Sequence, residues 1–266
     1  MSGNITFSDL IYFYRIKKLK NKVSWINSLF YGAFGLILSG FFEFRIYFIE
    51  FLALSGIFMV SFSLNDFYDY KIEKDRNHAG IMVKKTGAVK TLVLCLLPAV
   101  LAFPAVFLNS FSKILLLIFA VLSVFYSAPP LRIKRFSKSM PSVLCAGILF
   151  LQAYGSLKPI SLNAVIMAFL IMLFHLTVEQ IHRISEGAKS FALLKALPFV
   201  YLLFSVLFSS LNALFIVSVF FSLFRIRALK NIEKQDFKKL RMDLKSGIYS
   251  LQEFAVYIAA GILGYF

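Results

Sequence analysis

Nine stretches of this chain are apolar almost from end to end, each bounded by charged or turn-forming residues: roughly 23–41, 47–64, 89–108, 110–126, 139–157, 160–178, 191–208, 210–224 and 250–266. Each is about the length that crosses a ~30 Å hydrocarbon core, the shortest with some local thinning of the bilayer. Backbone polar groups inside lipid must be satisfied within their own segment, so such runs read as helices. The expected fold is an all-α, polytopic membrane helix bundle of about nine transmembrane helices. The seventh and eighth spans are divided as a hairpin at Ser209–Ser210. No soluble insert interrupts the series, so residues 1–266 read as one domain.

Composition supports the pattern. Hydrophobic residues make up 59% of the 266, and mean hydropathy is +0.79; soluble domains are nearer about 45–50% apolar. The polar remainder is distributed with a strong bias. Of the 29 Lys and Arg, 26 fall at the N-terminus (Arg15 to Lys22) and in the loops after the even-numbered spans, among them Arg132, Lys134, Arg135 and Arg225. Only Arg45, Lys113 and Lys158 lie in the alternate loops. The positive-inside rule then puts the N-terminus in the cytoplasm and the C-terminus outside. The net charge of +16 is spread over every cytoplasmic loop, which argues for contact with anionic lipid and against a nucleic-acid partner.

The first twenty residues lack the apolar core of a signal peptide, and Ser8 to Arg15 is expected to lie along the cytoplasmic interface as an amphipathic stretch. Trp25 reads as an interfacial anchor. Cys95 and Cys145 sit inside apolar spans and read as packing residues. Residues 226–245, which mix both charges, read as a cytoplasmic surface helix.

Candidate chemistry sits at three span ends. Asn65-Asp66-Phe67-Tyr68-Asp69-Tyr70-Lys71-Ile72-Glu73 closes the second span. Its acids fall at i, i+3 and i+7, one face of a helix, with Asn65 at the border. Carboxylates this close repel unless a cation lies between them, and oxygen-only ligands suit Mg²⁺ together with substrate phosphates. Glu179 and Glu186 close the sixth span, about 113 residues on, a spacing that hints at a weak internal duplication. Acidic helix ends facing each other across a bundle can hold metal from both sides. Between them lies Tyr126-Ser-Ala-Pro-Pro-Leu-Arg132-Ile-Lys134-Arg135, where the two prolines stop the fourth span and present an aromatic and a basic pair at a rigid turn.

Asn65-Asp66-x-x-Asp69-x-x-x-Glu73 followed by Tyr126-Ser-x-Pro-Pro-Leu-Arg132 resembles the UbiA superfamily of intramembrane prenyltransferases, over nearly the whole chain. The resemblance implies Mg²⁺-dependent transfer of an isoprenyl group from a prenyl diphosphate to an acceptor, aromatic or lipid-like, within the membrane. It implies Asn65, Asp66, Asp69, Glu73 and Glu179 as metal ligands, with Asp66, Asp69 and Tyr126 in the catalytic role. Arg132, Lys134, Arg183 and Lys189 would bind the diphosphate. Metal and cations would neutralise the leaving group, aromatic faces would stabilise the allylic cation, and exclusion of water would prevent its capture.

Two positions depart from the family pattern. The second motif is expected as Asp-x-x-x-Asp-x-x-x-Gly. Here Glu179 matches its first acid, Gly187-Ala-Lys189-Ser190 fixes the register, and Arg183 stands where the second acid belongs. A guanidinium cannot ligate metal. The Arg-Pro usual after the first motif is replaced by Ala79-Gly80-Ile81-Met82-Val83-Lys84. Two readings follow. In one, Arg183 pairs with the diphosphate in place of a second metal, with Glu186 returning a ligand to the face of Glu179. In the other, the chain is a catalytically weak relative that binds isoprenoid or a membrane partner without turnover. His175, four residues before Glu179, reads as its hydrogen-bonded partner, and His182 as solvent-exposed. A transporter reading is disfavoured because the charges are expected near span ends, not at mid-membrane.

Overall fold

The structure, a computed structural model, describes residues 4–16, 29–74, 77–137, 139–185, 192–229 and 248–266. Its principal helices are α1 (Phe7–Phe13), α2 (Phe30–Leu38), α3 (Phe44–Tyr68), α4 (His78–Thr86), α5 (Ala88–Leu96), α6 (Ser110–Phe125), α7 (Met140–Leu157), α8 (Leu162–Ser185), α9 (Ala192–Ser209), α10 (Ile216–Leu229) and α11 (Ile248–Ile262). A π-helical turn, Asp69–Glu73, continues α3, and a 3₁₀ segment, Leu97–Phe107, continues α5. Five of these stretches are long and apolar enough to cross a membrane: Phe44–Glu73, Ala88–Phe107, Met140–Leu157, Leu162–Ile181 and Ala192–Ser209. The other four expected spans fall on the shorter helices α2, α6, α10 and α11.

The span at 89–108 is not one α-helix. Pro104 lacks the amide an α-helix needs and clashes with the preceding turn, so the chain tightens to 3₁₀ between Pro98 and Phe107. That segment lies along α3. Gly56 of α3 permits the approach, because a Cβ there would stand 2.6 Å from the Pro98 carbonyl oxygen. Gly35 performs the same service for α2 against the Phe150 carbonyl of α7. Small residues at helix contacts are how membrane bundles bring backbones together where lipid removes the hydrophobic drive.

Helices α2, α7, α8, α9, α10 and α11 surround an aromatic core of Phe34, Phe150, Tyr154, Phe174, Phe254 and Tyr257. A second cluster joins α3, α6 and α7 through Ile49, Leu54, Phe58, Phe119 and Leu149. The outer faces stay apolar and exposed (Val89, Phe103, Leu117, Leu162), as a lipid-facing surface requires.

One expectation, for Arg225, is corrected here, and the structure adds detail to two other segments. Helix α1 packs onto the bundle: Phe13 is completely buried, the Tyr14 hydroxyl donates to the Leu94 carbonyl at 2.7 Å, and Lys85 pairs with Asp9 at 2.8 Å. The segment after the first motif is the helix α4, capped by Asn77, which accepts from the Gly80 amide at 3.0 Å. Arg225 is not a loop anchor but a buried residue of α10, its guanidinium stacked on the rings of Tyr201 and Phe174 and paired with Glu253 of α11. Glu253 also accepts from the Tyr201 hydroxyl at 2.8 Å and from Ser218 at 2.5 Å. Both charges are buried, and each lies within two turns of an end of its helix. Glu50 in α3 is likewise buried, accepting from the Gln152 amide of α7 at 2.7 Å. Such pairs join helices at a desolvation cost that their hydrogen bonds offset. Trp25 and residues 230–245 of the expected surface helix lie outside the described residues.

Candidate functional site

The first acidic motif caps a helix of 25 residues, about 37 Å long at 1.5 Å per residue, so its acids emerge at the end of a span. Asp66 on α3 and Asp69 at the start of the π turn stand one turn apart, and that turn then carries Glu73 outward until Lys74, at φ 60°, stops the helix. The loop after α6 folds back onto this end. Tyr126 caps α6, and its carbonyl accepts from the Lys134 amide at 3.1 Å, closing the loop on itself. Arg132 adopts φ 41°, a left-handed conformation that L side chains rarely take.

That closure sets two cations on two acids. Lys134 pairs with Asp69 and lies 3.4 Å from Glu73; Arg132 pairs with Glu73 and lies 3.9 Å from Asp69. Asn65 donates its amide to Asp69 at 3.1 Å and accepts from the Ser127 hydroxyl. The Arg132 Nε, fully buried, has no hydrogen-bond partner, so one donor is left for an incoming acceptor. Glu73 is the half-exposed member, its side chain 46% accessible, and marks the open side of the cluster.

Asp66 lies deeper, 1% exposed, and both its oxygens accept from Arg15, at 3.0 Å from Nε and 2.5 Å from Nη2. Its backbone carbonyl accepts from the Asn77 side chain at 2.7 Å. Arg15 also lies 4.9 Å from the Phe62 ring centroid. Sequence reasoning counted Arg15 among the topology-setting charges and missed this contact. The available signal was an Arg just after an amphipathic helix with a capping box, Thr6 with Asp9, that holds the helix in register. Ser127 sat unused inside the quoted loop motif.

The second motif is built differently. Glu179 remains inside α8, which runs past the expected end of its span at 178 to Ser185. Its Oε1 lies 3.7 Å from His175 Nε2, and the same imidazole meets the Tyr31 hydroxyl at 2.7 Å and the Ser142 hydroxyl at 2.8 Å. His175 thus lies beside Glu179, but at 3.7 Å it is beyond hydrogen-bond reach, and its hydrogen bonds run to α2 and α7. Arg183 is exposed, and among the described residues the cations that meet the first-motif acids are Arg15, Arg132 and Lys134. Glu186, Gly187, Lys189, Ser190 and the His182 side chain lie outside the described residues.

Among the described residues no three His, Cys, Asp or Glu side chains are gathered as a metal shell. The donor chemistry of Asn65, Asp69 and Glu73 fits one hard cation once Lys134 and Arg132 turn to an anionic ligand. Among the described residues Asp66 is not free to join it, because both its oxygens accept from Arg15.

No family model and no curated protein matches the chain. Among solved structures, its fold is similar to that of a digeranylgeranylglyceryl phosphate synthase in membranes, with a TM-score of 0.70 and 19% identity over 96% of this chain and 98% of that one. At that identity the likeness establishes the fold alone, an all-helical polytopic membrane bundle.

Proposed function

We propose that this chain, read as one UbiA-type prenyltransferase domain, transfers an isoprenyl group from a prenyl diphosphate to an acceptor within the membrane, from a site on its cytoplasmic face. The observation that carries this reading is the convergence of Asn65, Asp69 and Glu73 with Ser127, Arg132 and Lys134 at the mouth of the bundle. Opposite charges paired with one another at the open edge, beside an Arg132 Nε that has no partner among the described residues, suit an exchange in which phosphate oxygens take the cations. Asn65, Asp69 and Glu73 would then hold Mg²⁺, which when bound supplies positive charge to the departing diphosphate.

In the step itself the allylic carbon–oxygen bond breaks and both electrons leave with the diphosphate. Arg132 and Lys134 receive that charge in fixed positions, so little reorganisation is needed. Tyr126, at the loop's root, would face the allylic cation. The apolar interior holds the isoprenoid tail and keeps water from the cation. The acceptor's nucleophilic carbon or oxygen forms the new bond and loses its proton. Arg183 takes no part in this step.

A second reading, a binder without turnover, is favoured by one feature: each first-motif carboxylate is already paired with a cation, and Arg183 replaces an acid. One assay separates the two. Purified full-length chain is incubated with prenyl diphosphates of several lengths, Mg²⁺ and candidate acceptors, and release of diphosphate is followed. Release that requires acceptor and is abolished by chelator supports transfer; saturable binding without release supports the binder; neither overturns both.

A further inference from the structure

Among the described residues, three that are not glycine have positive φ: Arg15 at 50°, Lys74 at 60° and Arg132 at 41°. Each costs conformational energy that surrounding contacts must offset. Two of them, Arg15 and Arg132, deliver guanidinium groups onto first-motif acids, and Lys74 ends the turn that carries Glu73. The two delivered guanidinium groups are nonetheless of different kinds. Arg132 shares its acids with Lys134 at the accessible edge, where Glu73 is half exposed, so its pairing can be exchanged for a ligand's.

Arg15 cannot be exchanged so readily. Its side chain is 9% exposed, grips both oxygens of a carboxylate that is 1% exposed, and rests on Phe62. The helix that leads to it is held in place by several contacts. Phe13 is completely buried, Tyr14 bonds to Leu94, Tyr12 stacks on His78 at 5.2 Å, and Asp9 pairs with Lys85. Stripping a buried partner from such a pair leaves an uncompensated charge.

We infer that Arg15 is a built-in counter-charge that takes Asp66 out of the metal shell, so that the site takes a single divalent cation, held by Asn65, Asp69 and Glu73, with its pyrophosphate-type ligand. Asp66 is then a positioning residue, anchoring the N-terminal helix beneath the site, and not a metal ligand. This rests on the diphosphate reading above but goes beyond it: a prenyltransferase with two metals would satisfy that reading and fail this one.

The test counts Mn²⁺, a paramagnetic stand-in for Mg²⁺, bound per full-length chain in detergent with inorganic pyrophosphate present, by electron paramagnetic resonance of the free ion. Pyrophosphate binding is read in parallel by calorimetry. Wild type is expected to saturate at one Mn²⁺ per chain. Asp69→Asn should lose that ion at concentrations that saturate wild type, whereas Asp66→Asn should keep it. Because Asp66→Asn strands a buried Arg15, the double variant Arg15→Gln with Asp66→Asn, which keeps a neutral hydrogen-bonded pair, is measured beside it and should also bind one. Two Mn²⁺ per wild-type chain, or loss of the ion in a folded Asp66→Asn or double variant, overturns the inference and leaves the diphosphate reading intact. Wild type that binds no pyrophosphate with or without Mn²⁺ overturns both.

Discussion

The ends of α3 and α8 began as the same kind of sequence, an apolar span closing on acids, and they became different things. At α3 the helix loosens into a π turn, and a distant loop folds back to set Lys134 and Arg132 against Asp69 and Glu73. At α8 the helix continues past the span, so Glu179 stays a helix side chain turned to His175 and Arg183 is exposed. Acid spacing alone does not make a site. What distinguishes α3 is the arrival of cations from elsewhere in the chain, at a sequence separation of 59 residues for Arg132 and 65 for Lys134.

Replacing Asp69 with Ala should break the α3 side outright. It removes an acid shared by Asn65, Lys134 and Arg132, and diphosphate release should become undetectable while the melting temperature in detergent stays close to that of wild type. Release at the wild-type rate would shift the chemistry away from α3.

Arg132→Gln should follow in size. A truncated buried charge pair costs on the order of 2–5 kcal/mol, so affinity for inorganic pyrophosphate should fall by at least roughly 30-fold. A matched loss in Lys134→Gln would sharpen the view that the loop works as one unit, and additive losses in the double variant would break it.

On the α8 side the effects should be small. Arg183→Ala and Arg183→Asp alter an exposed side chain, so stability should change by no more than about 0.5 kcal/mol and pyrophosphate affinity should stay near that of wild type. A gain of turnover in Arg183→Asp would instead make α8 the missing half of a metal site and erase the contrast drawn between the two ends.

The smallest expected effect concerns the docking of α1. The Lys85 ammonium, with the Thr6 amide and hydroxyl, holds the Asp9 carboxyl down at about 2, below its ordinary 3.8. A depressed acid contributes stability above its unfolded value and loses it as pH falls through the folded one. Amide-exchange protection of α1 should therefore be flat from pH 5 to 8, roughly where Asp is ionised in either state. A step in protection within that range would mean that another group carries the docking.

Much of the molecule was legible from local pattern. Long apolar runs can only be helices in lipid, so the positions of α6, α7 and α9 follow the expected spans to within a few residues. The acids of the first motif and the basic residues of the Tyr126–Arg135 loop were identified by residue type and order, because carboxylates and cations at helix ends carry their chemistry in their names. The prolines at 98 and 104 were visible in the sequence, but hydropathy does not register a missing amide, so the 3₁₀ segment was not anticipated.

Pairing across the chain was not legible in the same way. Whether Asp66 faces a metal or a guanidinium depends on where α1 docks, and that docking is set by Phe13, Tyr14 and Lys85 contacts that no periodicity encodes. Arg225 likewise read as a loop cation, whereas α10 and α11 pack together and place it with Glu253 in one buried network with Tyr201 and Ser218. The sequence by itself determined which segments lie in the membrane and which residue types gather at their ends, since both follow from the transfer energy of side chains taken one at a time. Only the tertiary structure decided which charge answers which, because an ion pair's energy belongs to the separation and burial of two groups, and neither exists until the helices meet.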